Sequence, residues 1–424
     1  MTTQHSLRAF GLHTPPGKSS LHMESVSLSD IAQHHGTPCY VYSKSAILQA
    51  LHEYQSAFSC FPSLICYAVK ANPNLSILRL LAEHGAGFDI VSGGELLRVL
   101  EAGGDPQRIV FSGVGKSIEE IDLALKTGIL SFNVESEAEL QRLAKRAAIL
   151  GIRAPLSIRV NPEVDAHTHP YIATGLRTSK FGVSTTTART LYQQAAALPS
   201  IHIVGIDCHI GSQITRLEPF LEAADKVLEL VESLQYEGIS IEHIDLGGGV
   251  GIHYRDEECP SLTTYANALQ NKLKNFNGRI LVEPGRSIIG NGGLLLTRVE
   301  YLKSIAERQL VIVDAGMNDL MRPSLYQAWH DIIAVGPGKT EAQIVDIVGP
   351  VCESSDVLGK DRLLSVQEGD VMAILSCGAY GASMGSQYNS RPRPPEVLID
   401  GQESRLIRYR ETFDDLVKSE RIPL

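Results

Sequence analysis

Between residues 64 and 282 the chain alternates short apolar runs with amphipathic stretches, and this alternation restricts the fold more than any other feature. The runs are Leu64–Val69, Gly87–Val91, Ile109–Ser112, Ser131–Val134, Leu156–Val160, Ile203–Cys208, Ile241–Leu246 and Ile280–Val282. They are too short for helices and alternate too little for edge strands, so they read as parallel strands buried on both faces. Helical spacing predicts helices over Leu75–His84, Glu95–Ala102, Ile118–Lys126, Glu137–Leu150, Thr187–Ala197, Leu217–Leu234 and Tyr265–Lys274. Two of these open on capping-box spacing, Ser117-Ile118-Glu119-Glu120 and Ser136-Glu137-Ala138-Glu139. Eight strands alternating with helices over this length fit an α/β fold of the (β/α)8 barrel type, typically about 250 residues long. A doubly wound open sheet is the runner-up.

A barrel places its chemistry after the carboxyl ends of its strands, and the polar and glycine-rich residues fall there. In order they are Lys70; Asp89 and Ser92-Gly93-Gly94; Gly113-Val114-Gly115; Asn133 and Glu135; Arg159-Val160-Asn161; His209 and Ser212; Gly247-Gly248-Gly249; and Glu283-Pro284-Gly285-Arg286. Lys70 ends a buried apolar run, where desolvation lowers an ammonium pKa and frees the amine to attack a carbonyl carbon. The bland alternative is a lysine that reaches back to solvent. Gly247-Gly248-Gly249 and Gly285-Arg286 follow the last two strands, where barrels often hold a phosphate on backbone N–H groups. Nucleotide motifs fail on spacing: Gly115-Lys116-Ser117 has Val110 where a P-loop needs glycine, and Ile252 stands where a dinucleotide fingerprint needs its third.

Beyond Gly293 the pattern changes to strand-like runs at Leu294–Tyr301, Leu310–Val313, Ile332–Val335, Ala342–Val348, Asp370–Leu375, Glu396–Ile399 and Arg405–Tyr409, separated by Gly, Pro and Asp turns. This predicts a C-terminal all-β domain. The early strand Pro38–Tyr42, preceded by a short helix over Leu28–His35, has no barrel helix before it and is expected to join that domain. The expected division is 1–44 with the β domain, 45–288 as the barrel and 289–424 as the β domain.

Composition excludes other classes. A net charge of -10 with no Lys/Arg cluster argues against nucleic acid. Seven cysteines without CxxC spacing indicate neither a disulfide framework nor a zinc site. His167-Thr168-His169 lacks a third ligand at metal spacing and reads as a polar loop, so no metal is expected. No run approaches the ~20 apolar residues of a membrane span and the first residues carry no signal-peptide core, which points to the cytoplasm.

Six ordered motifs, Tyr67-Ala68-Val69-Lys70-Ala71-Asn72, His209-Ile210-Gly211-Ser212-Gln213, Gly247-Gly248-Gly249, Glu283-Pro284-Gly285-Arg286, Cys352-Glu353-Ser354-Ser355-Asp356 and Gly378-Ala379-Tyr380-Gly381, resemble the fold-type III pyridoxal-phosphate decarboxylases from about Val26 onward. Ser355 and Val357 depart from the common pattern, where Gly and Phe are more usual.

The resemblance implies pyridoxal 5'-phosphate as cofactor and decarboxylation of meso-2,6-diaminopimelate to L-lysine. It implies that Lys70 holds the cofactor, that Glu283 pairs with its pyridine nitrogen, and that His209 stacks on its ring. A carboxylate at 283 suits decarboxylation, whereas an arginine there would suit racemisation better. Asp89, Ser212, Gly248, Gly249, Pro284, Gly285, Arg286 and Tyr380 are the remaining cofactor contacts so implied. For the substrate, Arg286, Arg322 and Tyr326 are implied around the distal carboxylate and Glu353 for the distal ammonium, with Tyr380 as a further substrate contact. Cys352 is implied as the donor that protonates the carbon, against the commoner fate of a small buried thiol. The family resemblance further implies a homodimer whose sites are shared across the interface. The alternatives are an ornithine- or arginine-type decarboxylase on the same fold, and a non-catalytic regulator that has lost the cofactor.

Overall fold

The computed structural model describes residues 11–165, 179–306, 308–338 and 340–422; the His167-Thr168-His169 reading lies outside them. The chain divides into two units. One takes the chain through Gln49, His253–Glu257 and everything from Ile288; the other takes Ala50–Ile252 and Glu258–Ser287. The short segment His253–Glu257, read from sequence as barrel, groups with the first unit.

The described chain opens with three two-residue strands, β1 (Leu12–His13), β2 (His22–Met23) and β3 (Val26–Ser27), a helix over Leu28–His35, and then β4 (Cys39–Ser43). The second unit holds β5 (Ser63–Ala68), β6 (Gly87–Ile90), β7 (Ile109–Phe111), β8 (Ser131–Val134), β9 (Ala154–Asn161), the short β10 (Val183–Ser184), β11 (Ile201–Cys208), β12 (His243–Asp245) and β13 (Arg279–Val282). All pair in parallel. The path β9-β11-β12-β13-β5-β6-β7-β8 returns to β9, which closes an eight-stranded barrel and rules out the open sheet. Closure buries both faces of each strand, the physical reason these runs read as continuously apolar.

The helices between them fall where expected, with no end displaced by more than three residues. Ser117 caps its helix with a complete box, Glu120 reaching back to the Ser117 amide. The second box forms only in part. Ser136 accepts from the Glu139 amide, but the Glu139 carboxylate takes the Glu135 amide and the Lys116 ammonium instead. A buried lysine outcompetes the capping amide for that carboxylate.

The other unit continues with β14 (Gly293–Ile305), β15 (Arg308–Val313), β16 (Ile332–Ala334), β17 (Gln343–Val348), β18 (Val357–Leu364), β19 (Val371–Ile374), β20 (Glu396–Asp400) and β21 (Glu403–Arg408). Its main sheet runs β18-β17-β15-β14-β4-β20-β21, with β19 pairing β14 and β16. Strand β4 sits in the middle, antiparallel to β14 and parallel to β20. Several elements were not anticipated. Strand β18 carries Gly359, Lys360 and Asp361 at its centre, and Asp361 has a φ of 54° beside two register shifts, so its alternation is broken. Short helices at Arg322–Tyr326 and Phe413–Val417 interrupt the otherwise all-β unit. The helix Lys44–Ala57 was not predicted either, although its pattern is regular: Ile47, Leu51, Tyr54 and Phe58 are buried at spacings of four, three and four.

Candidate active site

Strand β5 ends at Ala68, and Lys70 sits in the single 3-10 turn Val69–Ala71, not on the strand itself. The turn lifts the side chain off the barrel wall, and its ammonium meets the buried Asp89 carboxylate, Nζ to Oδ2 at 2.5 Å. Asp89, Asn133 and Arg159 lie within β6, β8 and β9, not in the loops after them, and all three are buried. Arg159 lies 3.4 Å from Glu135 Oε1 and 3.8 Å from Asp207 Oδ2.

Glu283 follows β13 and is buried. Its oxygens lie within 4.8 Å of those of Asp207 and Asp245, from β11 and β12. Burial pushes the Glu283 and Asp207 pKa values well up and that of Asp245 up to about 7, and the neighbouring carboxylates push in the same direction. The surroundings of the trio therefore favour the protonated form of each. Glu283 Oε1 and Asp207 Oδ1 have no hydrogen-bond partner among the described residues. A buried carboxyl oxygen left that way is a place for a ligand's donor. Sequence reading gave no role to Asp207 or Asp245, although an acid inside a buried apolar run was the signal.

His209 follows β11. Its Nδ1 accepts from the Gly248 amide at 3.1 Å, which places its proton on Nε2. Burial, with the Arg159 and Lys70 charges nearby, holds its pKa well below the ordinary value, so the ring is neutral. The glycines are required by close approach. A Cβ on Gly248 would lie 2.1 Å from the Glu283 carbonyl oxygen, and one on Gly249, at a φ of 110°, 2.2 Å from that of Gly211. Gly247 donates to Asp245 Oδ1 at 2.8 Å. Gly285 packs against Ala68 and Ala71, so its Cβ would press on the turn that carries Lys70. Arg286 Nη2 donates to Ser212 Oγ at 2.8 Å, and Pro284 accepts from the Ala68 amide at 3.1 Å. The barrel rim thus gathers Lys70, Asp89, His209, Ser212, Gly248, Gly249 and Glu283 through Arg286. An amine, an orphaned buried carboxyl and a backbone cradle suit a phosphorylated carbonyl ligand with a ring nitrogen, which is what pyridoxal 5'-phosphate is.

The other unit carries the remaining predicted residues. Arg322 is buried, its guanidinium 2.9 Å from His330 Nε2 and 4.6 Å from the centre of the Tyr254 ring. Tyr326 ends the same short helix. Cys352 and Glu353 are exposed on the turn before β18; the Cys352 amide donates to Asn389 Oδ1 at 2.7 Å, and Glu353 Oε1 accepts from Tyr388 at 2.6 Å. The turn is anchored by Asp356, which is buried and whose carboxylate accepts from the Met317 and Val351 amides. Tyr380 has a φ of 56°, in the left-handed region. His330 was missed: a lone histidine in a loop gives no sequence signal.

Residues 44–290 match the family described as pyridoxal-dependent decarboxylase, pyridoxal binding domain. The chain is 54% identical over 394 residues to the diaminopimelate decarboxylase of Vibrio cholerae, covering 93% of this chain and 94% of that protein. Among solved structures it resembles diaminopimelate decarboxylase from Helicobacter pylori complexed with L-lysine, with a TM-score of 0.90, 48% identity and coverage of 92% of this chain and 98% of that one. The enzyme of that name from M. jannaschii, also in complex with L-lysine, superposes with a TM-score of 0.92 at 39% identity, covering 97% of this chain and 98% of that one.

Proposed function

The chain belongs to the pyridoxal-dependent decarboxylase family, and on that footing we propose that it decarboxylates meso-2,6-diaminopimelate to L-lysine and CO2, the last step of lysine biosynthesis. When bound, pyridoxal 5'-phosphate supplies a conjugated ring that accepts the electron pair left as CO2 departs. The chain's own residues do the rest. Lys70 holds the cofactor and yields to the substrate amine, Asp89 steadies Lys70, and His209 stacks as a neutral ring. Glu283, whose burial among acids favours its protonated form, pairs with the ring nitrogen and shares a proton with it. Ser212, Gly248, Gly249, Gly285 and Tyr380 take the cofactor phosphate, and Pro284 and Arg286 are further cofactor contacts.

Arg286, Arg322 and Tyr326 bind the distal carboxylate, Glu353 the distal ammonium, and Tyr380 is a further substrate contact. Cys352 protonates the carbon that has lost CO2. The observation that carries this substrate is the buried Arg322 guanidinium, which ornithine or arginine would leave without a distal carboxylate. The active unit is a homodimer in which one protomer's Cys352-Glu353 turn completes its partner's barrel site, with residues 45–288 as the cofactor domain. No helix among the described residues is long and apolar enough to cross a membrane, and we place the enzyme in the cytoplasm. The test is CO2 release across meso-diaminopimelate, ornithine, arginine and lysine, with meso-diaminopimelate expected to be strongly preferred. Arg322→Ala should lower kcat/KM for it by on the order of 2–4 kcal/mol in transition-state binding. Turnover of ornithine at a comparable rate overturns the assignment.

A further inference from the structure

A guanidinium has donors and no acceptor, so any nitrogen it bonds must accept. Arg322 Nη1 lies 2.9 Å from His330 Nε2, which makes Nε2 the bare nitrogen. His330 Nδ1 lies 2.8 Å from the Leu375 carbonyl oxygen, which can only accept, so Nδ1 carries the proton. Two independent contacts thus require the same neutral tautomer. The ring is fully buried. Tyr254 meets it edge-on at 5.2 Å and 79° while its own face receives the Arg322 guanidinium.

The backbone at His330 is pinned as firmly. Its carbonyl accepts from Arg362 Nη2 at 2.9 Å. Arg362 in turn lies over the ring of the chain's one tryptophan, Trp329, 3.1 Å from its centre, and Arg255 lies 4.4 Å from the same ring. Asp331 accepts from the Leu375 amide at 2.8 Å. A rigid acceptor is therefore built against one nitrogen of the Arg322 guanidinium.

We propose that His330 is a positioning residue for substrate selection: by holding one nitrogen of Arg322 from behind, it fixes the plane of the guanidinium for bidentate capture of the substrate's distal carboxylate. This rests on the reading of Arg322 as the carboxylate clamp. In this role His330 acts through Arg322 and not on the substrate itself. Its contribution is the rotational freedom it removes from Arg322 before the ligand arrives.

The test uses the holoenzyme and two substitutions that divide the imidazole. His330→Asn keeps an amide donor near the Leu375 carbonyl and offers nothing where Nε2 was; His330→Gln extends an amide oxygen to that place. In His330→Asn, KM for meso-diaminopimelate and Ki for L-lysine, which retains the distal carboxylate, should rise roughly tenfold, the loss expected for one hydrogen bond to a charged group. Ki for cadaverine, which has no carboxylate, and the cofactor absorbance should not change. His330→Gln should stay within about threefold of wild type for all of these. A His330→Asn enzyme that binds L-lysine as wild type does, while Arg322→Ala does not, overturns the positioning role and leaves the clamp standing. Equal weakening of L-lysine and cadaverine also overturns it, because that marks general damage. If Arg322→Ala itself leaves L-lysine binding unchanged, the clamp falls and the inference with it. Should His330→Asn fail to fold, a folded His330→Gln with selectively weakened L-lysine binding is the overturning result.

Discussion

Lys70 Nζ stands 2.5 Å from Asp89 Oδ2, an ion pair with its carboxylate wholly buried and its ammonium partly open to solvent. The pairing compensates a buried charge and holds a flexible side chain in one place. Lys70→Ala should lose the borohydride-sensitive visible absorbance of the holoenzyme and on the order of a thousandfold or more in kcat. It also strands Asp89, so the double variant Lys70→Ala, Asp89→Asn should melt higher than Lys70→Ala alone. Full activity in Lys70→Ala excludes the cofactor assignment.

Gly248 should tolerate no side chain. A methyl group would fall 2.1 Å from the Glu283 carbonyl oxygen, and backbone cannot swing aside as a side-chain tip can. Gly248→Ala is expected to destabilise by about 1–3 kcal/mol through overpacking and to weaken cofactor binding, because the shift moves both the His209 anchor and the Glu283 carboxyl. Calorimetry and cofactor titration read the two effects separately. An unchanged melting point would mean that the loop relaxes freely.

The pH dependence of stability should carry the mark of buried acids. Burial pushes Asp319 and Asp245 up to about 7 from ordinary carboxylate values. Between roughly pH 4 and 7 the folded chain holds these protons and the unfolded chain does not, so stability falls as pH rises through that window. Asp319, whose carboxylate accepts from the Gly316 amide and from Asn318, is the simpler case. Asp319→Asn should flatten the profile of unfolding free energy by up to about 1.4 kcal/mol per pH unit. Denaturant melts from pH 5 to 8 decide this; a slope identical to wild type would place the proton elsewhere.

Complementation tests the shared site. Lys70→Ala and Cys352→Ala homodimers should each be inactive, while dissociating and mixing them should regenerate one intact site per heterodimer. Random pairing at equal amounts restores about a quarter of wild-type activity if sites act independently. Heterodimers without recovered activity would assign Cys352 to its own chain's site or remove it from proton delivery.

The barrel was legible because closure buries both strand faces, and the sequence has to be apolar wherever that happens. The same logic exposed Lys70, a charge at the end of such a run. Asp207 and Asp245 gave an equal signal, since acids inside Ile206–Cys208 and Ile244–Leu246 are just as anomalous. Other features depend on groups distant in sequence. Glu139 abandons its capping role because Lys116 is buried beside it, Asp356 turns inward because two amides from elsewhere need an acceptor, and His330 matters only through Arg322, eight residues earlier. The clear periodicity of Lys44–Ala57 lay between two regions that drew attention for other reasons.

The central position of β4 in its sheet bears on how the protein is made. All five residues of β4 are buried, yet its partners β14 and β20 leave the ribosome only after every barrel strand has been synthesised. The barrel can close while the nascent chain is still short of them, but β4 must wait with both hydrogen-bonding edges exposed. Such edges recruit whatever strand comes first. Loss of the segment through β4 would likewise open the flanks of β14 and β20 at the heart of the sheet, turning a small terminal deletion into an aggregation-prone product.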